Sequence, residues 1–175
     1  MASESLIILG QGPSMIGCPF DTETWASVSV LSHQEWEDAP VSKVFLFDKL
    51  ELKEDERLGV EVAQRRGLPI VGESYMADYP PVGTNVVTEE YPLREIQKEF
   101  NTLYFKNDTS YMIAYAIHLG YKHLSLWGVD QGGVPEGQQD IYSFARAYVM
   151  FWLGVATGRG ITWELAPNSI LLRDD

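Results

Sequence analysis

"LIILGQGPSMIG", residues 6–17, sets four aliphatic residues directly against Gly-Gln-Gly-Pro-Ser. The aliphatic run is short, uncharged and stopped by glycine, which reads as a fully buried strand over 5–10. An ordinary turn needs only one or two of the residues that follow. Gly10 and Gly12 permit positive φ and let a ligand approach the backbone closely. Pro13 stiffens the turn, Gln11 places an amide within it, and Ser14 can cap a short helix or donate to an oxyanion. The same residues also make a tight strand-to-helix turn, and the pattern alone leaves both readings open. It is not the dinucleotide fingerprint, because Met15 stands where the third glycine belongs, and no Lys-Ser or Lys-Thr pair follows to make a P-loop.

Working outward, further short apolar runs read as strands: "WASVSVL" (25–31), "KVFLFD" (43–48), "LPIVG" (68–72), "KHLSLWGVD" (122–130) and "ITWEL" (161–165). Between them lie helical patterns at 54–67, 91–100, 109–120 and 139–160. The first has acids in its opening turn, arginines in its last and Gly67 as its stop, which matches the helix dipole. Pro92 suits a first helical turn. Residues 73–91, centred on "DYPPVGTN", read as irregular, and a connection of that length suits a lid. No repeat or linker divides the chain, so one domain over 1–175 is expected. Its class is α/β, a doubly wound, mostly parallel, Rossmann-like sheet of about six strands. Ligands in such sheets bind beyond the carboxyl ends of the strands. That rule selects Gly10 to Ser14, Asp48, and Gly128 to Gln131.

The bulk numbers narrow the partners. A formal net charge of −12 over 175 residues disfavours a duplex phosphate backbone. Much of this acid sits in solvated stretches such as "ELKEDE" and serves solubility. A small anion remains suitable, since backbone N–H groups at a helix start hold one without Lys or Arg. The single cysteine, Cys18, excludes an intrachain disulfide and fits a reducing compartment. The N-terminus lacks the basic and apolar regions of a signal peptide, and no apolar run reaches membrane-spanning length. A cytoplasmic protein with no membrane partner is expected, and a homo-oligomer is compatible with the sequence.

The second chemistry-bearing stretch is "KNDTSYMIAYAIHLGYKHLSLWGVD" (106–130). Asp108, Thr109 and Ser110 open an apolar helix, where any of them can cap the exposed N–H groups or leave those groups to cradle a phosphate. The strand that follows delivers Gly128 and Asp130 to the sheet edge that carries the opening glycines. Asp130 could hold a ribose hydroxyl, a base amine or a metal; it could equally cap the next loop.

"GQGPS" after a first strand, together with "TSYMIAYAIHLGYKHLSLWGVD", resembles the bacterial sialyltransferases that open with Gly-Asn-Gly-Pro-Ser and use a cytidine-nucleotide sugar. It also resembles the 6-hydroxymethylpterin diphosphokinase-like proteins and small phage proteins of the same arrangement. The two segments cover roughly a quarter of the chain. The resemblance implies nucleotide contacts from Gly10, Gly12, Pro13, Ser14, Thr109, Ser110 and Asp130. Gln11 replaces the asparagine of the motif, keeping the amide with a longer reach. No residue matches the transferases' catalytic histidine, and the chain is shorter than theirs.

His33, on the carboxyl side of the second strand, is the histidine best placed for acid/base work, with Asp130 the other catalytic candidate. His118 reads as a helix-face residue, and His123 as lying at the opposite end of the sheet. No Cys/His cluster has metal-ligand spacing. Asp130 or Asp48 would hold a divalent ion if the reaction uses one. Tyr148, Phe151 and Trp152 are expected in the core of the last helix. Three functions follow: a small transferase acting on a nucleotide or nucleotide sugar, a non-catalytic binder of a nucleotide or nucleotide-derived signal, and a structural or assembly protein without a ligand.

Overall fold

In a computed structural model of the 175-residue chain, residues 4–47, 54–73, 86–132 and 143–173 are described. In chain order the elements are β1 (Ser5–Leu9), β2 (Glu23–Ser27), β3 (Lys43–Leu46), α1 (Glu54–Arg66), β4 (Ile70–Gly72), β5 (Glu89–Glu90), α2 (Leu93–Phe100), α3 (Asp108–Leu119), β6 (His123–Trp127), α4 (Ser143–Gly158) and β7 (Thr162–Leu165). Short 3₁₀ turns lie at Pro13–Met15 and Val28–Ser32. The class is the expected parallel α/β one. The chain divides into two compact units: Met1–Glu23 with Leu103–Asp175, and Thr24–Thr102.

In the first unit β6 lies between β1 and β7, parallel to both. Ser5 stands opposite His123 and Leu9 opposite Trp127. Leu6 to Leu9 are essentially removed from water, as an uncharged run covered on both faces must be. α3 packs on β1 and on α4. Met112, Ile113, Ala114 and Ala116 of α3 are fully buried, so this helix is covered on more than one side. In α4 the buried stripe is Ala145, Val149, Trp152, Leu153 and Ala156, at helical spacing. Trp152 therefore belongs to the core, where its Nε1 donates to the Tyr104 carbonyl at 2.9 Å. Phe151 does not: it falls outside the stripe, is exposed, and meets Tyr104 edge-on at 5.1 Å. Tyr148 is half-buried and stacks on Tyr104 at 4.1 Å.

In the second unit β2, β3, β4 and β5 pair in sequence, all parallel. β2 stops at Ser27, short of the strand expected to reach 31. Val28 to Leu31 turn 3₁₀ and are buried beneath α1, and Gly59 of that helix comes against the Val28 carbonyl. The alternation that reads as a longer strand thus reflects burial, not extension. β5 is the strand the sequence does not announce: two glutamates in a stretch read as irregular. Backbone bonds from Thr88 N to the Ile70 carbonyl and from Tyr91 N to the Gly72 carbonyl hold it in place. An ion pair from Lys43 Nζ to Glu89, at 2.9 Å, adds to them. Pro92 caps α2 instead of entering its first turn. Asp48, the centre of the expected lid (74–85) and the first residues expected in the last helix (139–142) lie outside the described residues.

Tyr121, buried just before β6, donates its hydroxyl to Glu23 Oε2 at 2.7 Å. Burial, and then the Glu23 carboxylate, push its phenol far above its ordinary value near 10. The folded chain therefore holds this proton more tightly than the unfolded one. The stabilisation is complete below about pH 10 and is lost as the pH rises through the folded value. Tyr121→Phe is expected to flatten the alkaline decline in urea midpoint between about pH 9.5 and pH 11. An unchanged slope would remove Tyr121 as its source.

Candidate functional site

The loops after β1 and β6 are bolted together within the first unit. Gly10 N donates to the Trp127 carbonyl and Gly12 N to the Gly128 carbonyl, each at 2.8 Å. In return Gly128 N donates to Ser14 Oγ at 3.0 Å, and Ser14 N donates to Asp130 Oδ2 at 2.9 Å. Asp130 Oδ1 accepts a second backbone N–H, from Ile170, at 3.3 Å. Both carboxylate oxygens are thus engaged inside the fold, and Ser14 and Asp130 are buried.

This interlock explains the glycines. A Cβ on Gly10 would sit 2.5 Å from the Gly128 carbonyl oxygen. One on Gly12 would overlap the Asp130 carboxylate, and one on Gly128 would overlap the Gly10 carbonyl. Gly128 also takes φ +67, a left-handed conformation that favours glycine. Close backbone approach is therefore real, and the partner that approaches is the neighbouring loop. Pro13 is exposed on the turn, while Gln11 and Gly12 are half-buried.

The helix start reaches the same edge. α3 ends at Gly120, in the left-handed region, and β6 begins three residues later, so helix and strand run in opposite directions. Twelve helical residues span about 18 Å and five strand residues about 17 Å, which returns the α3 N-terminus to the carboxyl end of β6. The cap itself is Asn107, one residue before those proposed from sequence. Its Oδ1 accepts from Ser110 N at 3.2 Å, and Ser110 Oγ accepts from Asn107 N at 3.3 Å, a reciprocal capping box. Ser110 is therefore a capping-box residue. Asp108 and Thr109 occupy the first turn, and Thr109 is buried.

His33 is exposed in the second unit, just after a 3₁₀ turn. His118 is half-buried on α3. His123 is at the amino end of β6, with Nδ1 2.8 Å from Thr162 Oγ1 and Nε2 3.7 Å from Glu164. Burial raises the Cys18 thiol to about 11, the behaviour of a packed thiol and not of a nucleophile. Among the described residues no three His, Cys, Asp or Glu side chains come together for a metal. Each Asp130 oxygen already accepts one backbone N–H.

Gln131 closes the Gly128 to Gln131 range that the strand-end rule selects, and the sequence assigns it no role of its own. It takes φ +47, and its buried Oε1 has no hydrogen-bond donor among the described residues. A left-handed backbone and an unmet buried acceptor make it a position to examine for function. Nothing local in "GVDQGG" signals them.

No protein-family profile matches the chain, and no curated protein matches it in sequence. Solved structures do. The sialyltransferase CstII from Campylobacter jejuni, in complex with cytidine-5'-monophosphate, aligns with a TM-score of 0.60 at 20% identity, over 97% of this chain and 82% of that one. The monofunctional alpha-2,3-sialyltransferase Cst-I from the same organism aligns at 0.62 and 16% identity, over 96% and 78%. CST-II in complex with a trisaccharide acceptor and CMP aligns at 0.54 and 21% identity, over 95% and 83%. The likeness is one of fold. It gives the sialyltransferase half of the sequence resemblance a structural counterpart. Among the described residues, no helix is long and apolar enough to cross a membrane.

Proposed function

We propose that the chain binds a nucleotide or nucleotide sugar at the carboxyl edge of β1 and β6 and acts as a glycosyltransferase-like transferase. The observation that carries this reading is the interlocked pair of loops. Three glycines, a buried serine and a buried carboxylate fix one rigid edge, and the start of α3 is returned to that same edge. Rigid backbone beside a helix N-terminus suits an anionic ligand in a chain of net charge −12, because the helix start supplies positive potential without a cation. The fold shared with proteins solved with CMP supports it.

In this reading Gly10, Gln11, Gly12, Pro13 and Gly128 form the floor, and the first turn of α3, Asp108 and Thr109, faces the phosphate. Ser14, Ser110 and Asp130 hold these segments in place. Departure of a nucleoside phosphate from the sugar would be eased chiefly by positioning and by the field of the helix start.

One observation favours the non-catalytic alternative. Within the two interlocked turns, Gly10 to Ser14 and Gly128 to Gly132, Asp130 is the one carboxylate, and each of its oxygens already accepts a backbone N–H. Incubation with a CMP-linked sugar separates the readings. With a sugar acceptor present, release of CMP as the sugar joins the acceptor's hydroxyl is the transferase result; stoichiometric binding with the sugar nucleotide intact selects the binder. A folded protein that neither binds nor consumes CMP- or UDP-linked sugars would overturn both.

A further inference from the structure

The C-terminal segment makes a second set of contacts with the interlock, and they run through one arginine. Arg146, in the first turn of α4, donates from Nε to the Leu171 carbonyl at 2.6 Å. Its Nη2 reaches the carbonyls of Ile170 at 3.3 Å and Arg173 at 2.5 Å. One guanidinium thus gathers three carbonyls of a segment with no regular structure of its own, a task suited to its rigid fork of donors. The same segment is tied to the loop after β6 at two points: Ser169 Oγ donates to the Val129 carbonyl at 3.1 Å, and Ile170 N donates to Asp130 Oδ1 at 3.3 Å. Asp130 passes the constraint on through Oδ2, which holds Ser14 N. Leu171 is fully buried, so the segment is seated as well as tied.

We infer that Arg146 is a positioning residue for the nucleotide turn, acting through the segment 169–173 and Asp130. This rests on the nucleotide reading above. The physical reason is the geometry of a carboxylate. With Ile170 N on one oxygen, the plane and rotamer of Asp130 are fixed, and the other oxygen is presented to Ser14 N at one distance and angle. Without Ile170 the carboxylate gains a rotation that carries Oδ2 off the turn. Among the described residues the hydrogen bonds of Arg146 run to the C-terminal segment and not to residues 10–14, so its effect on them is transmitted.

Two readouts on the full-length chain test this. The first is amide hydrogen exchange of Arg146→Met. Exchange at Ser14 and Ile170 is expected to quicken by about tenfold or more, while Leu6 to Leu9 of β1 keep their protection. A merely structural role for Arg146 would quicken all of these together, and that outcome, or an unchanged Ser14, overturns the inference whether or not any nucleotide binds. The second is calorimetric titration with CMP of wild type, Arg146→Met, Asp130→Asn and the double variant. Arg146→Met is expected to weaken CMP by about tenfold, and the double variant to bind no more weakly than Asp130→Asn alone, because both act on one lock. Effects that multiply, or an Arg146→Met protein with wild-type affinity, would overturn it. A wild type that binds no CMP would instead sink the nucleotide reading, leaving hydrogen exchange to decide the lock.

Discussion

Gly128→Ala is expected to lose about 3 kcal/mol of stability and all nucleotide affinity. Two costs combine. A left-handed backbone at a non-glycine residue costs roughly 1–2 kcal/mol, and forcing a methyl group against packed atoms costs about 1–3 kcal/mol more. The obstacle is the Gly10 carbonyl, which cannot swing aside as a side chain would, because Gly10 N is itself bonded to the Trp127 carbonyl. Any relief must therefore part the two loops. A control is available in Gly154, within α4, where an added Cβ meets nothing within 4 Å. Gly154→Ala is expected to gain up to about 1 kcal/mol through helix propensity. Urea denaturation of both variants checks the pair. Equal and small effects would show that glycine at 128 is not demanded by its surroundings.

Asp130→Ala is expected to cost a similar amount, about 3 kcal/mol, by a different route. It leaves the Ser14 and Ile170 amides without acceptors, each worth roughly 1–3 kcal/mol when buried and unmet. Asp130→Asn keeps one carbonyl oxygen and should fall between alanine and wild type. The discriminating feature is this order. A carboxylate serving mainly as a ligand group would leave thermal stability nearly unchanged in both variants while abolishing binding. An Asp130→Ala protein as stable as wild type would therefore return Asp130 to the role of a free catalytic or ribose-binding group.

What the sequence disclosed and what it withheld follow from the range of each interaction. β1 and β6 are legible because a strand covered on both faces must be apolar at every position, and "LIIL" and "HLSLW" nearly are. α1 and α3 are legible through their stops, Gly67 and Gly120, both in the left-handed region. The end of β2 is not, because Val28 to Leu31 are buried beneath α1, and burial imitates strand alternation. β5 is hidden by its composition, since two glutamates at the end of a long connection carry no strand signal. The cap of α3 shows how a local rule misses by one residue: Asp108, Thr109 and Ser110 are all competent caps, and Asn107 before them takes the position. Gly10, Gly12, Ser14, Gly128 and Asp130 were singled out for a ligand, and the structure adds that they first serve one another. No single-chain pattern announces a bond between residues 114 or 116 positions apart, as those from Gly128 to Ser14 and from Ser14 to Asp130 are.

The most direct test of nucleotide binding is a two-dimensional ¹⁵N–¹H NMR titration of the wild-type chain with CMP. Saturable shifts concentrated at Gly10 to Ser14, Asp108 to Ser110 and Gly128 to Gln131 are the expected result. Shifts centred elsewhere, or none at millimolar CMP, UMP and AMP with the protein folded, would contradict a nucleotide site at this edge of the sheet.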